Sequence, residues 1–92
     1  MPEHTPVRYV LEIRINSMIN EPITQIEAAT PFQSFMIGER FIERGFDTSS
    51  WHDLPSDGEV FRIIDKAHIV STIGPFHQHM VILILKATPL AV

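Results

Sequence analysis

Apolar and polar side chains alternate near the start of the chain. The apolar series is Val7, Tyr9, Leu11, Ile13 and Ile15. A period of two places successive side chains on opposite faces of a strand, so residues 7 to 16 are predicted to form a strand with one face in a core. A loop that contains Pro22 follows, and residues 23 to 29 predict a second, shorter strand.

The second half of the chain predicts a long hairpin. A strand is expected from Glu59 to about Ile73, with a bulge or bend near Asp65-Lys66, where charge interrupts the apolar series. Gly74-Pro75 is typical of a turn, and residues 78 to 88 predict the last strand. A loop of two residues or of four at this turn gives two alternative registers.

The last strand is apolar on both faces. Met80, Ile82 and Ile84 alternate with Val81, Leu83 and Leu85. Both faces therefore require burial, because six such side chains contribute roughly 1.5–3 kcal/mol each when they leave water. Either the sheet curls, with loops or a helix over its second face, or a second subunit covers that face.

Residues 31 to 44 allow two interpretations. Thr30 as N-cap, Pro31 in the first helical position and Gly45 after the end favour a helix. Against a helix, the apolar residues fall on both of its sides and Gly38 lies within it. A turn followed by a strand over 39 to 44 is preferred, and the helix stays open as the alternative.

These elements predict an all-β or β-rich fold. We expect a small single domain over residues 1–92, with four to five antiparallel strands in a compact barrel or twisted meander sheet. The alternative is an α+β fold, with one helix at about 31–44 packed on a four-stranded antiparallel sheet. Residues 1–6 are expected to be mobile, and residues 89–92 are expected to fray.

Composition narrows the classes of partner. The 92 residues include no cysteine and carry a formal net charge of −4, and the seven basic residues are scattered along the chain. Direct nucleic-acid binding is disfavoured, since it needs a concentrated basic patch. The start of the chain lacks the pattern of a secretory signal, and no apolar run approaches the roughly 20 residues of a membrane span. A cytoplasmic location is expected.

A His-x-His pair precedes the last apolar run. In a strand His77 and His79 project from one face, and His68 on the preceding strand is the candidate third ligand of a metal ion. Either register of the hairpin places His68 and His79 two or more residues apart, beyond about 6 Å at 3.3 Å per residue. The prediction is that these residues bind no metal and bond solvent or backbone.

The loop of residues 46 to 58 is acidic and contains the single tryptophan. Trp51 has two interpretations, a core plug at one end of the barrel or an exposed anchor for a partner. The residues predicted to bind a partner are Trp51, His52, Asp53, Asp47 and Asp57. Ser50, His52 and Asp53 are the residue types of a hydrolase triad, but adjacent residues cannot line up in that geometry.

No catalytic or nucleotide-binding motif is present, so we expect neither an enzyme nor a cofactor. The predicted function is a non-enzymatic interaction protein that binds another protein or a nucleoprotein complex through the acidic loop or through a sheet edge. One version is an inhibitor of a basic nucleic-acid-binding partner. The alternatives are a small barrel that binds metal or a small ligand through His68, His77 and His79, and a self-associating subunit such as a homodimer.

Overall fold

Five strands and one short 3-10 turn form the structure, a computed structural model that describes residues 7–90. The predictions for residues 1–6 and for 91–92 lie outside the described part of the chain. The elements are β1 (Val7–Ile15), β2 (Thr24–Ala28), β3 (Arg40–Phe41), the 3-10 turn Glu43–Gly45, β4 (Glu59–Ile73) and β5 (Phe76–Pro89).

The strands form one mixed sheet in the order β2-β1-β5-β4-β3 that curls into a half-barrel. The predicted β-rich fold is confirmed, but the expectation of a wholly antiparallel meander is wrong at one junction. β1 and β5 run parallel, from the pair Val7–His77 to the pair Ile15–Leu85, whereas the other three junctions are antiparallel. The two most apolar strands thereby lie together at the centre of the sheet.

β4 and β5 form the predicted long hairpin. Ile73 pairs with Phe76 across the two-residue turn Gly74-Pro75, so the shorter of the two loops is correct. Gly74 has a φ of +56°, which a two-residue turn of this kind requires at its first position. The predicted irregularity is confirmed as a shift of register between Ile63 and Asp65. The predicted fraying is wrong at Pro89, which pairs with Glu59.

One face of the sheet, here called the core face, carries the main core. Its buried members come from β1, β4, β5 and the loop before β4, and they are Leu11, Ile13, Ile15, Trp51, Phe61, Ile63, Val81, Leu83 and Leu85. Phenylalanines of the long connection, Phe32, Phe35, Phe41 and Phe46, pack against them. The loops therefore close the core face, and no helix among the described residues takes part.

The opposite face of the sheet is also buried at its centre. Ile82 and Ile84 are 4% and 1% exposed, and they pair with Glu12 and Arg14 of β1. Val10 and Glu12 are each 4% exposed. The Glu12 carboxylate accepts a bond of 3.2 Å from the Arg14 guanidinium, which also donates to the Asn20 carbonyl at 3.1 Å. This arrangement confirms that the last strand is buried on both faces within a single copy of the chain.

The helix considered for residues 31–44 is wrong, and the preferred strand there is shorter than predicted. Only Arg40–Phe41 forms strand, and the 3-10 turn begins at Glu43. Gly38 has a φ of +90°, which is incompatible with a right-handed helix. The irregular path lets Phe32 and Phe35 pack against the core face, while Met36, Ile37 and Ile42 stay exposed.

The described residues form an elongated body of 55 × 24 × 24 Å. The long axis matches β4, because 15 residues at about 3.3 Å each span roughly 50 Å. Among residues 7–90, no helix is long and apolar enough to cross a membrane.

Candidate functional site

The outer edge of β4 loses its neighbour halfway along the strand. β3 pairs with Phe61 and Arg62, and two further backbone bonds join Ile63 to Glu39 at 2.9 Å and to Gly38 at 2.6 Å. Beyond this point β4 continues for ten residues, Ile64–Ile73, and within the described chain no strand pairs with its outer side. We call this stretch the open edge.

The backbone groups of the open edge alternate in direction. In an antiparallel ladder, a residue directs both its N–H and its C=O either toward one neighbour or away from it. The Lys66 N–H points away from β5, because it donates to the carboxylate of Asp65 at 2.8 Å. By the same alternation, the backbone N–H and C=O groups of His68, Val70 and Thr72 point outward, where they could form hydrogen bonds with a further strand.

The open edge carries large apolar side chains that are exposed. Val70 is 75% exposed, Ile73 is 53% exposed and Ile69 is 47% exposed. Val70 lies on the core face beyond the reach of the core, whereas Ile69 and Ile73 lie on the opposite face. The open edge therefore combines unpaired backbone groups with apolar surface on both sides.

Two of the three histidines contact each other. His68 Nδ1 lies 2.9 Å from His79 Nε2, and the ring centroids are 5.2 Å apart. The predicted separation of these imidazoles is therefore wrong. His68 pairs with Val81, so His79 is its diagonal neighbour, and rings bridge such a diagonal because Cβ atoms there are only about 7–8 Å apart. His77 turns elsewhere, with Nδ1 3.1 Å from Thr72 Oγ1.

A cavity of about 170 Å³ adjoins the histidine pair on the core face. Its lining includes Tyr9, Phe32, Phe35, Lys66, His68 and His79. The Lys66 ammonium donates to the Phe35 carbonyl at 2.5 Å, which ties the connection before β3 to β4. The lining of the cavity is thus partly aromatic, and it includes both imidazoles.

Trp51 is a core residue. It is 7% exposed, and its ring packs 5.6 Å from Phe46 and 6.1 Å from Phe61 between centroids. This position agrees with the interpretation of a core plug, and it leaves no exposed indole to anchor a partner. A contribution of Trp51 to partner binding through the shape of its loop stays a prediction.

The other predicted residues of the acidic loop lie at the surface. Asp47, His52, Asp53 and Asp57 are all exposed. The Asp53 carboxylate accepts a bond of 3.0 Å from the Asn16 amide and lies 3.1 Å from His52 Nδ1, so it joins the loop to the end of β1. Their role in binding a partner stays a prediction.

Asp47 is the one residue of this loop whose pKa is perturbed in a resolved direction. Bonds from the side chain and then the backbone N–H of Ser49 lower the pKa of the Asp47 carboxyl below its usual value. The backbone N–H donates at 3.0 Å. The charge of Asp47 is thus stabilised by a local turn, although the residue is fully exposed.

Residues 7–90 contain no group of three or more His, Asp or Glu side chains placed to hold a metal ion. Comparison of the chain with protein-family models, with curated proteins and with solved structures finds no match. The candidate sites therefore depend on geometry alone.

The sequence predicted a sheet edge in general terms and named His68 and His79, but it did not predict the extent of the open edge or the other residues of the cavity. One signal was present in the β4 sequence, because Asp65, Lys66 and His68 interrupt its apolar series near the middle of the strand. Charged residues are typical of edge strands, where they discourage unwanted pairing. The length of the open edge depended on β3, whose end after Phe41 the sequence did not indicate.

Proposed function

We propose that the chain is a non-enzymatic interaction protein that binds another macromolecule by adding an extended segment of it to the open edge of β4. The observation that carries the proposal is the absence of a strand neighbour along Ile64–Ile73 in the described chain. In such strand addition, backbone hydrogen bonds provide affinity and alternate side chains provide specificity.

The part of the edge that a partner strand can use begins after Lys66. The Lys66 N–H already donates to the Asp65 carboxylate, so a partner strand would pair from Ala67 to Ile73. Seven residues match the usual length of a strand. The capped end also limits sliding of the partner, because pairing past Lys66 would break the bond from its N–H to Asp65.

The chemistry of the edge favours an apolar partner segment. Pairing would cover Ile69, Val70 and Ile73, which are about half or more exposed. Removal of apolar surface from water contributes roughly 25 cal/mol per Å² before the cost of ordering the partner is subtracted. A β-branched or aromatic segment without proline therefore fits best.

The test places proline once where the backbone N–H points away from β5 and once where it points toward β5. Val70→Pro removes an N–H that faces the partner, so we expect the fold to persist and strand addition to stop. Val70→Thr keeps both the N–H and the branched shape, and serves as the matched control. Ile69→Pro removes an N–H that pairs with β5, and should destabilise the fold by about 1–3 kcal/mol.

Random dodecapeptides displayed on phage would be selected on the immobilised full chain, and the affinity of recovered peptides would be measured by fluorescence anisotropy. We expect apolar peptides that bind the wild type and Val70→Thr equally and bind Val70→Pro at least about tenfold more weakly. Equal binding to all three proteins would contradict the proposal, as would the recovery of no apolar peptide.

The acidic loop is a second candidate contact, favoured by the exposed carboxylates of Asp47, Asp53 and Asp57. Such a surface would suit a basic partner, including a protein that binds nucleic acid. The same selection separates the two sites. Basic peptides that bind Val70→Pro as well as the wild type, and lose affinity at high salt, would assign the contact to the loop.

A further inference from the structure

We propose that His68 and His79 form a two-imidazole site for a divalent late transition metal, with Cu(II) as the preferred ion. The proposal is independent of strand addition, because it uses side chains on the core face rather than the backbone of the open edge. It depends on the placement of His68 Nδ1 and His79 Nε2 at 2.9 Å from each other.

The distance between the two nitrogens fits one class of coordination. Imidazole nitrogen lies about 2.0–2.1 Å from a bound divalent metal. Two such nitrogens are about 2.9 Å apart when the angle at the metal is 90°, and about 3.4 Å apart when it is tetrahedral. The observed 2.9 Å matches the right-angled case, which is the geometry of tetragonal Cu(II) and Ni(II) sites. Cu(II) binds a given nitrogen site more tightly than Ni(II) or Zn(II).

Metal binding would require a tautomeric change in the pair and a rotation of both rings, so that their lone pairs turn from each other toward one ion. In the metal-free chain one imidazole donates a hydrogen bond to the other. Coordination needs a lone pair on both facing nitrogens, so the proton moves to the far nitrogen of the donor ring.

The surroundings leave room for other ligands of the metal. The cavity of about 170 Å³ lies against both rings, and Gln33 and Ser34 also line it. Water or a small external donor could fill the remaining positions there. Lys66 lines the same cavity, and its charge opposes a cation, so two protein ligands beside an ammonium predict a site of modest affinity.

The chain supplies a matched control in His77. It lies on the same strand and the same face as His79, one pleat farther along, but its Nδ1 is 3.1 Å from Thr72 Oγ1 rather than near His68. Substitution of His77 removes one imidazole of the same hairpin and should leave the proposed pair intact.

The experiment is a Cu(II) titration of the full chain followed by electron paramagnetic resonance and calorimetry. His4 is replaced by Ala in every protein, because it lies outside the described residues and an imidazole near a chain terminus can chelate Cu(II) independently. The variants are His68→Ala, His79→Ala and His77→Ala, with His79→Gln as a substitute that keeps side-chain bulk. Circular dichroism checks that each variant is folded.

We expect one Cu(II) per chain, with hyperfine coupling to two nitrogens and a rise in the melting temperature as the ion binds the folded state. His68→Ala, His79→Ala and His79→Gln should each weaken binding at least about tenfold and leave coupling to one nitrogen. His77→Ala should leave both readouts unchanged. Binding by no protein, or equal losses in His77→Ala and His79→Ala, would overturn the proposal and leave a hydrogen-bonded pair only.

Discussion

Two apolar runs in the same hairpin have opposite surroundings. Every residue of Val81–Leu85 is at most 8% exposed, whereas Ile69, Val70 and Ile73 are 47%, 75% and 53% exposed. Both runs are rich in branched apolar side chains, and both lie in long strands. Composition therefore does not explain the difference between them.

The position of each run in the sheet explains it. β5 lies between β1 and β4, so the side chains of Val81–Leu85 have neighbours from both strands. Those on the core face are also covered by residues of the loops. The outer half of β4 has only β5 beside it. Phe32 and Phe35 of the loops meet it near Lys66 and His68, whereas Ile69, Val70 and Ile73 stay exposed. The first run is therefore expected to determine stability, and the second is available for binding.

The largest difference should appear when one residue of each run is truncated. Leu83→Ala removes a side chain of 0% exposure and should lower the free energy of unfolding by about 3–5 kcal/mol. Ile69→Ala should lower it by about 1 kcal/mol or less, since that side chain is half exposed. Urea unfolding measures both. Similar losses would contradict the contrast and show that the distal hairpin is also packed.

Two arginines on β1 form ion pairs that differ in burial in the same way as the two apolar runs. Arg14→Leu should lower the free energy of unfolding by about 3 kcal/mol, because Glu12, whose side chain is 5% exposed, loses its partner. Arg8→Leu is the control, and should cost at most about 1 kcal/mol, since the 3.9 Å pair of Arg8 and Glu27 is solvated. A combined Glu12→Leu and Arg14→Leu variant should recover part of the loss. Thermal unfolding of the four proteins compares them.

The smallest effect is expected in the acidic loop. The lowered pKa of Asp47 adds a contribution to stability that is present above the ordinary carboxyl pKa and is lost as pH falls through the lowered one. Ser49→Ala removes the side-chain bond, so the pKa of Asp47 should rise, and the backbone bond should keep part of the shift. Carbon-detected NMR titration measures it, with Ser50→Ala as control. An unchanged pKa in Ser49→Ala would show that the local turn does not hold the carboxylate.

The strands were predictable where a pattern of period two was long. Residues 7 to 16 and 59 to 73 met that condition, and the turn at Gly74-Pro75 left a choice between only two registers. The connection from 30 to 45 was harder, because its apolar residues fit no single period. There, Phe32 and Phe35 are placed by contact with the core face rather than by local structure.

The candidate sites were less accessible to sequence reasoning. Spacing along the backbone predicts that His68 and His79 are too far apart to meet, and this is wrong because side chains can meet across a diagonal. The open edge was not located either, since its extent is set by the end of β3 at Phe41. Both features depend on how one strand lies beside another.

The sequence by itself determined that the chain forms long strands, that its last strand is buried on both faces and that a bulge interrupts β4, because these follow from the order of apolar and polar side chains. Only the tertiary structure decided which strands are neighbours. The parallel contact of β1 with β5, the open edge of β4 and the contact of His68 with His79 all join residues through space. Local pattern fixes which face of a strand is apolar, but not which strand lies beside it.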